Sequence, residues 1–104
     1  MYLQSKGDNV YFEWDNDKAD SNFKKHGVRF SEASSVFHDL NALEIFDPDN
    51  SSSEERWIRL GRSSKSRLIV VVYCERASPE RVRIISARLA TKKEARYYSI
   101  RGVL

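Results

Sequence analysis

Little in this chain of 104 residues can form a covalent or metal-held framework. Cys74 is the single cysteine, so no internal disulfide can form, and no metal-ligand neighbours flank it. It lies in LIVVVYC (Leu68–Cys74), where a buried thiol acting as a small apolar side chain is expected. Only two histidines occur, His26 and His38, and no Asp/Glu/His group has the spacing of a metal site. Neither a metal nor another cofactor is therefore expected. No repeat or linker divides the sequence. No segment is long enough to cross a membrane, and the start, MYLQSKGDN, lacks the apolar stretch of a signal peptide. A cytoplasmic protein without membrane contact is expected.

Acids are scarce in one half only. Residues 1–55 carry 12 acids against 5 bases, whereas residues 56–104 carry 3 acids against 13 bases, so a net +3 conceals halves of opposite sign. The imbalance peaks at Arg81–Tyr98, RVRIISARLATKKEARYY, where an apolar strand runs into a helix. Arg81, Arg83, Arg88, Lys92, Lys93 and Arg96, with Arg101 just beyond, face one acid in that stretch, Glu94. A buried strand has no use for this charge, and a merely solvated helix mixes both signs. A polyanionic partner explains it. An apolar share of 40% and this length fit one folded domain with a single core.

The expected architecture is α+β, with helices on a mostly antiparallel sheet. Residues 1–9 are polar and read as a flexible leader before a single domain over 10–104. Val10–Trp14 alternates as a strand, and Asp15 can cap a helix running to about Lys25, ended by Gly27. Ser31 and Glu32 begin a second helix bearing Ala33, Val36 and Phe37. Ala42–Phe46 is a short strand, and DPDNSSS (47–53) a loop. Three strand-like runs follow, Glu55–Arg62, Arg67–Arg76 and Arg81–Ala87, joined by SSKS and ASPE as hairpins. The middle run is apolar on both parities and should be central. Thr91 and Glu94 form a capping box for a last helix.

FEWD (Phe12–Asp15), Lys18-Ala19, Asn22 and KHGV (Lys25–Val28) together resemble the opening signature of the BrnT family of bacterial type II toxins. Phe30, Glu32-Ala33 and Val36-Phe37 continue it, as do EERW (54–57), Gly61, Arg67–Tyr73, and RIISAR (Arg83–Arg88) with Ala90, Thr91 and Glu94. The likeness covers nearly all of Phe12 to Tyr98. It implies a RelE-like fold, with two N-terminal helices and a C-terminal helix on the sheet. It also implies an endoribonuclease that stops translation and a BrnA-like antitoxin that neutralises the toxin and binds operator DNA with it.

Cleaving RNA without a metal needs a proton removed from a 2′-hydroxyl, charge stabilised at phosphorus, and a proton given to the leaving 5′-oxygen. The resemblance favours His26 for proton exchange, with Lys25 beside it on phosphate. Lys and His before a terminal glycine also suit the negative end of a helix dipole, so capping stays open as the alternative. His38 reads as a surface residue. If the last two strands are antiparallel neighbours, Arg67 and Arg88 meet at one end of the sheet and complete the candidate catalytic set. Salt bridges to Asp15, Glu55 or Glu94 are the alternative for these two arginines. Lys92, Lys93, Arg96 and Tyr97 extend the patch as RNA-binding candidates. A non-catalytic nucleic-acid-binding module using the same patch is the rival reading.

Overall fold

The computed structural model describes residues 2–6, 10–47, 55–76 and 78–103. Its elements are β1 (Tyr2–Lys6), β2 (Val10–Trp14), α1 (Asn16–His26), α2 (Phe30–Ser35), β3 (Leu43–Asp47), β4 (Arg56–Arg62), β5 (Leu68–Arg76), β6 (Ser78–Leu89) and α3 (Lys92–Val103), with one 3-10 turn at Val36–His38. The six strands form one sheet in the order β1-β2-β6-β5-β4-β3, antiparallel throughout except for β2 against β6. The α+β class and the mostly antiparallel sheet are as expected.

Local chemistry sets most boundaries. The Asp15 carboxylate accepts the N–H groups of Asp17 and Lys18 at 2.8 and 3.2 Å, which caps α1. Gly27 ends it with φ of 70°, its N–H returning to the Phe23 carbonyl at 2.8 Å. α3 begins with the reciprocal box: Glu94 accepts the Thr91 N–H, and the Thr91 hydroxyl accepts that of Glu94. β5 is central, with Ile69 and Val71 fully buried, and Cys74 is equally buried.

Three expectations need correction. Residues 2–6 are not a loose leader. They form the edge strand β1, in register with β2 from Tyr2 opposite Trp14 to Lys6 opposite Val10. Pairing there occupies backbone groups that β2 would otherwise leave at a sheet edge. α2 starts at Phe30, not Ser31, and its N-cap residue Arg29 makes no side-chain cap. Burial of the Phe30 ring against Trp14, 5.9 Å between centroids, fixes that start more strongly than a capping hydroxyl would. β6 runs further than Arg81–Ala87 at both ends, because Arg76 already pairs with Ser78. Residues 48–54, which hold most of the expected DPDNSSS loop and the first residue of EERW, lie outside the described residues, as do Met1 and residues 7–9.

The main core lies between one face of the sheet and α1, α2 and the 3-10 turn. Phe37 joins Phe12 (5.0 Å) and Tyr73 (4.8 Å) into a run of tilted rings. Gly61 allows the 3-10 turn to seat on β4: a Cβ there would lie 2.7 Å from Val36 Cγ1 and 3.2 Å from Asp39 Oδ2. That close approach brings Asp39 beside Arg62. The opposite face of the sheet carries Leu43, Ile45, Ile58, Leu60 and Val70, which α3 partly covers with Glu94 and Tyr97. Among the described residues no helix is long and apolar enough to cross a membrane.

Candidate functional site

One end of the sheet gathers the C-terminus of α1, the β4–β5 hairpin at Ser63–Ser66 and the start of α3. The hairpin closes through Ser63 N–H to the Arg67 carbonyl and Ser66 N–H to the Ser63 carbonyl. Ser66 adopts φ of 59°. Arg67 ties the hairpin to α1 by donating to the Gly27 carbonyl at 3.2 Å, and Ala90 N–H reaches the Leu68 carbonyl at 2.9 Å just before α3. Cations from three separate stretches of sequence thus share this end.

Arg67 is held by Glu32. Its Nε and Nη2 donate to the two carboxylate oxygens at 2.9 and 2.5 Å, and the Ser63 hydroxyl adds a third bond at 2.7 Å. Glu32 is 5% exposed, whereas the Arg67 side chain keeps about a third of its surface. The Arg67 hydrogen bonds hold the Glu32 carboxyl below its ordinary value, and Glu32 raises Arg67 in return. Of five guanidinium N–H groups, the contacts to Glu32 and Gly27 use those on Nε and Nη2. Both on Nη1 stay available to a ligand. Lys25 is exposed on the last turn of α1, and His26 is half-buried beside it. No hydrogen bond among the described residues holds the His26 imidazole to a helix carbonyl.

Arg88 does not join this group. It stands opposite Val70 across β5–β6, so it shares the face that α3 covers. Arg67 lies three residues from Val70 and turns to α1 and α2 on the other face. The two arginines occupy the same end of the sheet but opposite faces, and each is engaged by a carboxylate. The expected convergence of Arg67 and Arg88 on one phosphate is therefore corrected. Arg88 makes two parallel bonds to Glu94, at 2.8 and 2.9 Å, and so anchors the first turn of α3 to β6. Lys92, Lys93 and Arg96 are exposed on α3, and Tyr97, 57% exposed, flanks the apolar groove of Leu43, Ile45, Ile58, Leu60 and Val70.

The Arg88 hydrogen bonds pull the Glu94 carboxyl down to about 2 from an ordinary 4.5. A depressed carboxyl stabilises the fold fully above its unfolded pKa, and that contribution disappears as pH falls through the folded value. Acidification from about pH 4.5 to 2 should therefore loosen α3. Glu94→Gln keeps the cap but loses the charge. It should cost about 1 kcal/mol at pH 7, after allowance for solvent screening, and progressively less as pH falls through about 2. Thermal unfolding of both proteins across that range checks this.

A cleft of about 500 Å³ opens on the far side of the hairpin, lined by Ser35, His38, Asp39, Asn41, Arg62, Ser63, Ser64 and Tyr98. Asp39 organises it, its Oδ2 accepting the Tyr98 hydroxyl (2.6 Å) and Arg62 N–H (2.8 Å), and its Oδ1 accepting Asn41 N–H (2.9 Å). Burial works against the ionised form of Asp39, but these donors prevail and hold its pKa below the ordinary value. His38 is exposed, as the sequence suggested, yet it faces this cleft. The grouping was hidden because Tyr98 and Asp39 stand 59 residues apart. Among the described residues no group of three or more His, Cys, Asp or Glu side chains could hold a metal ion.

The family model described as "Ribonuclease toxin, BrnT, of type II toxin-antitoxin system" matches residues 14–94. Among solved structures, the Brucella abortus ribonuclease toxin BrnT superposes with a TM-score of 0.56 at 24% identity, over 78% of this chain and 96% of that one. At that identity it supports the fold alone. No curated protein matches the chain.

Proposed function

Because the chain belongs to the BrnT family of ribonuclease toxins of type II toxin-antitoxin systems, we propose that it cleaves RNA without a metal at the α1 side of the basic end. The observation carrying this is the Arg67 guanidinium, fixed by Glu32 and by the carbonyl of Gly27, the residue that directly follows Lys25 and His26, with its Nη1 donors open. A rigidly held cation stabilises charge developing on a phosphoryl oxygen without reorganising during the reaction. In this reading the 2′-oxygen attacks phosphorus as His26 handles its proton. The bond from phosphorus to the 5′-oxygen then breaks, and that oxygen takes a proton. The products are a 2′,3′-cyclic phosphate and a 5′-hydroxyl.

Arg88 acts here as a positioning residue for α3, not as a phosphate ligand. Lys92, Lys93, Arg96 and Tyr97 contact more distant parts of a longer RNA. Such cleavage accounts for inhibition of translation in the cytoplasm, and the RelE-like label belongs to the same proposal. A type II toxin has a protein antitoxin. We take this one to be BrnA-like, covering the basic half with an acidic segment and carrying the pair to operator DNA.

Purified protein incubated with RNA and a chelator is expected to yield cyclic-phosphate ends. His26→Asn should lower the rate about 100-fold, the usual scale for removing a general acid or base. RNA retained but left intact would favour the non-catalytic binding module.

A further inference from the structure

The cleft on the far side of the hairpin has no part in the reaction just described. We infer that it is a subsite for the RNA nucleotide flanking the scissile one, with His38 and Arg62 as its phosphate ligands. This rests on the reading that RNA is handled at His26 and Arg67, and it adds where the strand runs.

The two sites share a wall. Ser63 lines the cleft and also donates to Glu32, which holds Arg67. The next residue, Ser64, is pinned by its N–H to the Ser35 hydroxyl at 2.8 Å. A strand leaving Arg67 therefore has to pass only this hairpin to enter the cleft.

Arg62 is prepared for an anion. Its backbone N–H is fixed on Asp39, its guanidinium lies 5.6 Å from the centre of the Tyr98 ring, and its Nη1 donates to the Ser66 carbonyl at 3.2 Å. The side chain is nevertheless exposed and keeps donors on Nε and Nη2 free of these contacts. Little conformational freedom remains to be lost on binding. His38 faces the same space, and no hydrogen bond among the described residues engages it.

The one carboxylate in the cleft is ionised, and its repulsion of an anion is weakened, not absent. Both Asp39 oxygens already accept N–H or O–H donors, and the field of Arg59 reaches it as well. The Ser64 hydroxyl and the Asn41 amide supply uncharged groups of the kind that meet a ribose 2′-hydroxyl. A merely solvated arginine would not have its guanidinium held by both a carbonyl and an aromatic ring.

The test uses a 2′-fluoro RNA hexanucleotide, which lacks the attacking hydroxyl, and a 2′-fluoro dinucleotide too short to span both sites. For His38→Asn/Arg62→Gln, Kd for the hexanucleotide should rise about tenfold. The slope of log K against log salt should fall by about one to two, one per lost phosphate contact. Dinucleotide binding should not change, and loss of the Arg62 contacts to the Ser66 carbonyl and the Tyr98 ring should lower the unfolding temperature by no more than about 4 °C. Arg62→Lys should restore much of the salt slope. An unchanged Kd and slope for the hexanucleotide would overturn the subsite. So would an equal loss for the dinucleotide, or equally tight binding of duplex DNA of the same length. If the wild-type protein leaves natural RNA intact while the hexanucleotide contrast holds, the nuclease reading falls and the subsite stands. Cleavage without the contrast gives the reverse.

Discussion

Arg67→Ala is expected to lower stability by about 2 kcal/mol, roughly 10 °C in unfolding temperature for a domain of this size, and to abolish RNA cleavage. Glu32 is almost wholly buried and would keep only the Ser63 hydroxyl of its three bonds. Stranding a buried charge costs more than this when both partners are enclosed. Arg67 is about a third exposed, so water entering its place offsets part of the penalty. Glu32→Gln added to Arg67→Ala should recover most of the stability, because an amide needs no counter-charge. It should recover no cleavage if Arg67 contacts phosphate. Calorimetry and an RNA cleavage assay on both variants separate the two roles: parallel recovery of fold and activity would make Arg67 purely structural. There is also an acid signature. Glu32 is held below the ordinary carboxyl value of 4.5, so the wild-type pair stabilises fully above that pH and fades as pH falls through the folded value. The single variant should lack this loss.

Elements bounded by local chemistry could be read directly from residue order. Asp15 and Gly27 delimit α1, and Thr91 with Glu94 opens α3, because each cap needs only residues within one turn. The same holds for the two-sided apolar run that becomes β5. What residue order could not supply was the face on which a distant side chain lies. Arg67 and Arg88 do reach the same end of the sheet, as the hairpin argument required. Their separation follows from parity against Val70, which is fixed only once the β5–β6 register is known. Glu94 is one of the acids the sequence offers as a partner for Arg88, and the structure pairs them. Glu32 was not foreseen for Arg67, because its place after Ser31 suggested a role at a helix start. β1 escaped notice for a similar reason: Tyr2–Lys6 carries little apolar alternation, and its pairing is supplied by the edge of β2. The resemblance pointed to the right family, while the position of each guanidinium depended on contacts no motif encodes.

Asn22→Ala should cost about 3 kcal/mol, about 1 kcal/mol for each of three buried hydrogen bonds. β2 pairs with β6 from Arg81 to Arg83, and beyond that point β6 has no neighbouring strand on that side among the described residues. The Asn22 side chain takes the strand's place. Its Nδ2 donates to the Ala87 carbonyl at 2.8 Å and to the Val28 carbonyl at 3.0 Å, and its Oδ1 accepts the Ala87 N–H at 3.1 Å. Alanine would leave those three backbone groups without partners inside the protein. Asn22→Asp is the sharper test. It preserves volume and the acceptor for Ala87 N–H, yet it turns a carboxylate oxygen toward two carbonyls. The aspartate variant should therefore be at least as unstable as the alanine variant at pH 7, and it should regain stability on acidification, when a protonated carboxyl can donate again. α1 also carries Lys25 and His26, and Asn22 fixes that helix to β6. RNA cleavage should fall in both variants even below their unfolding temperatures. Variants that unfold within half a kcal/mol of wild type, with activity intact, would show that α1 is held by its apolar contacts alone.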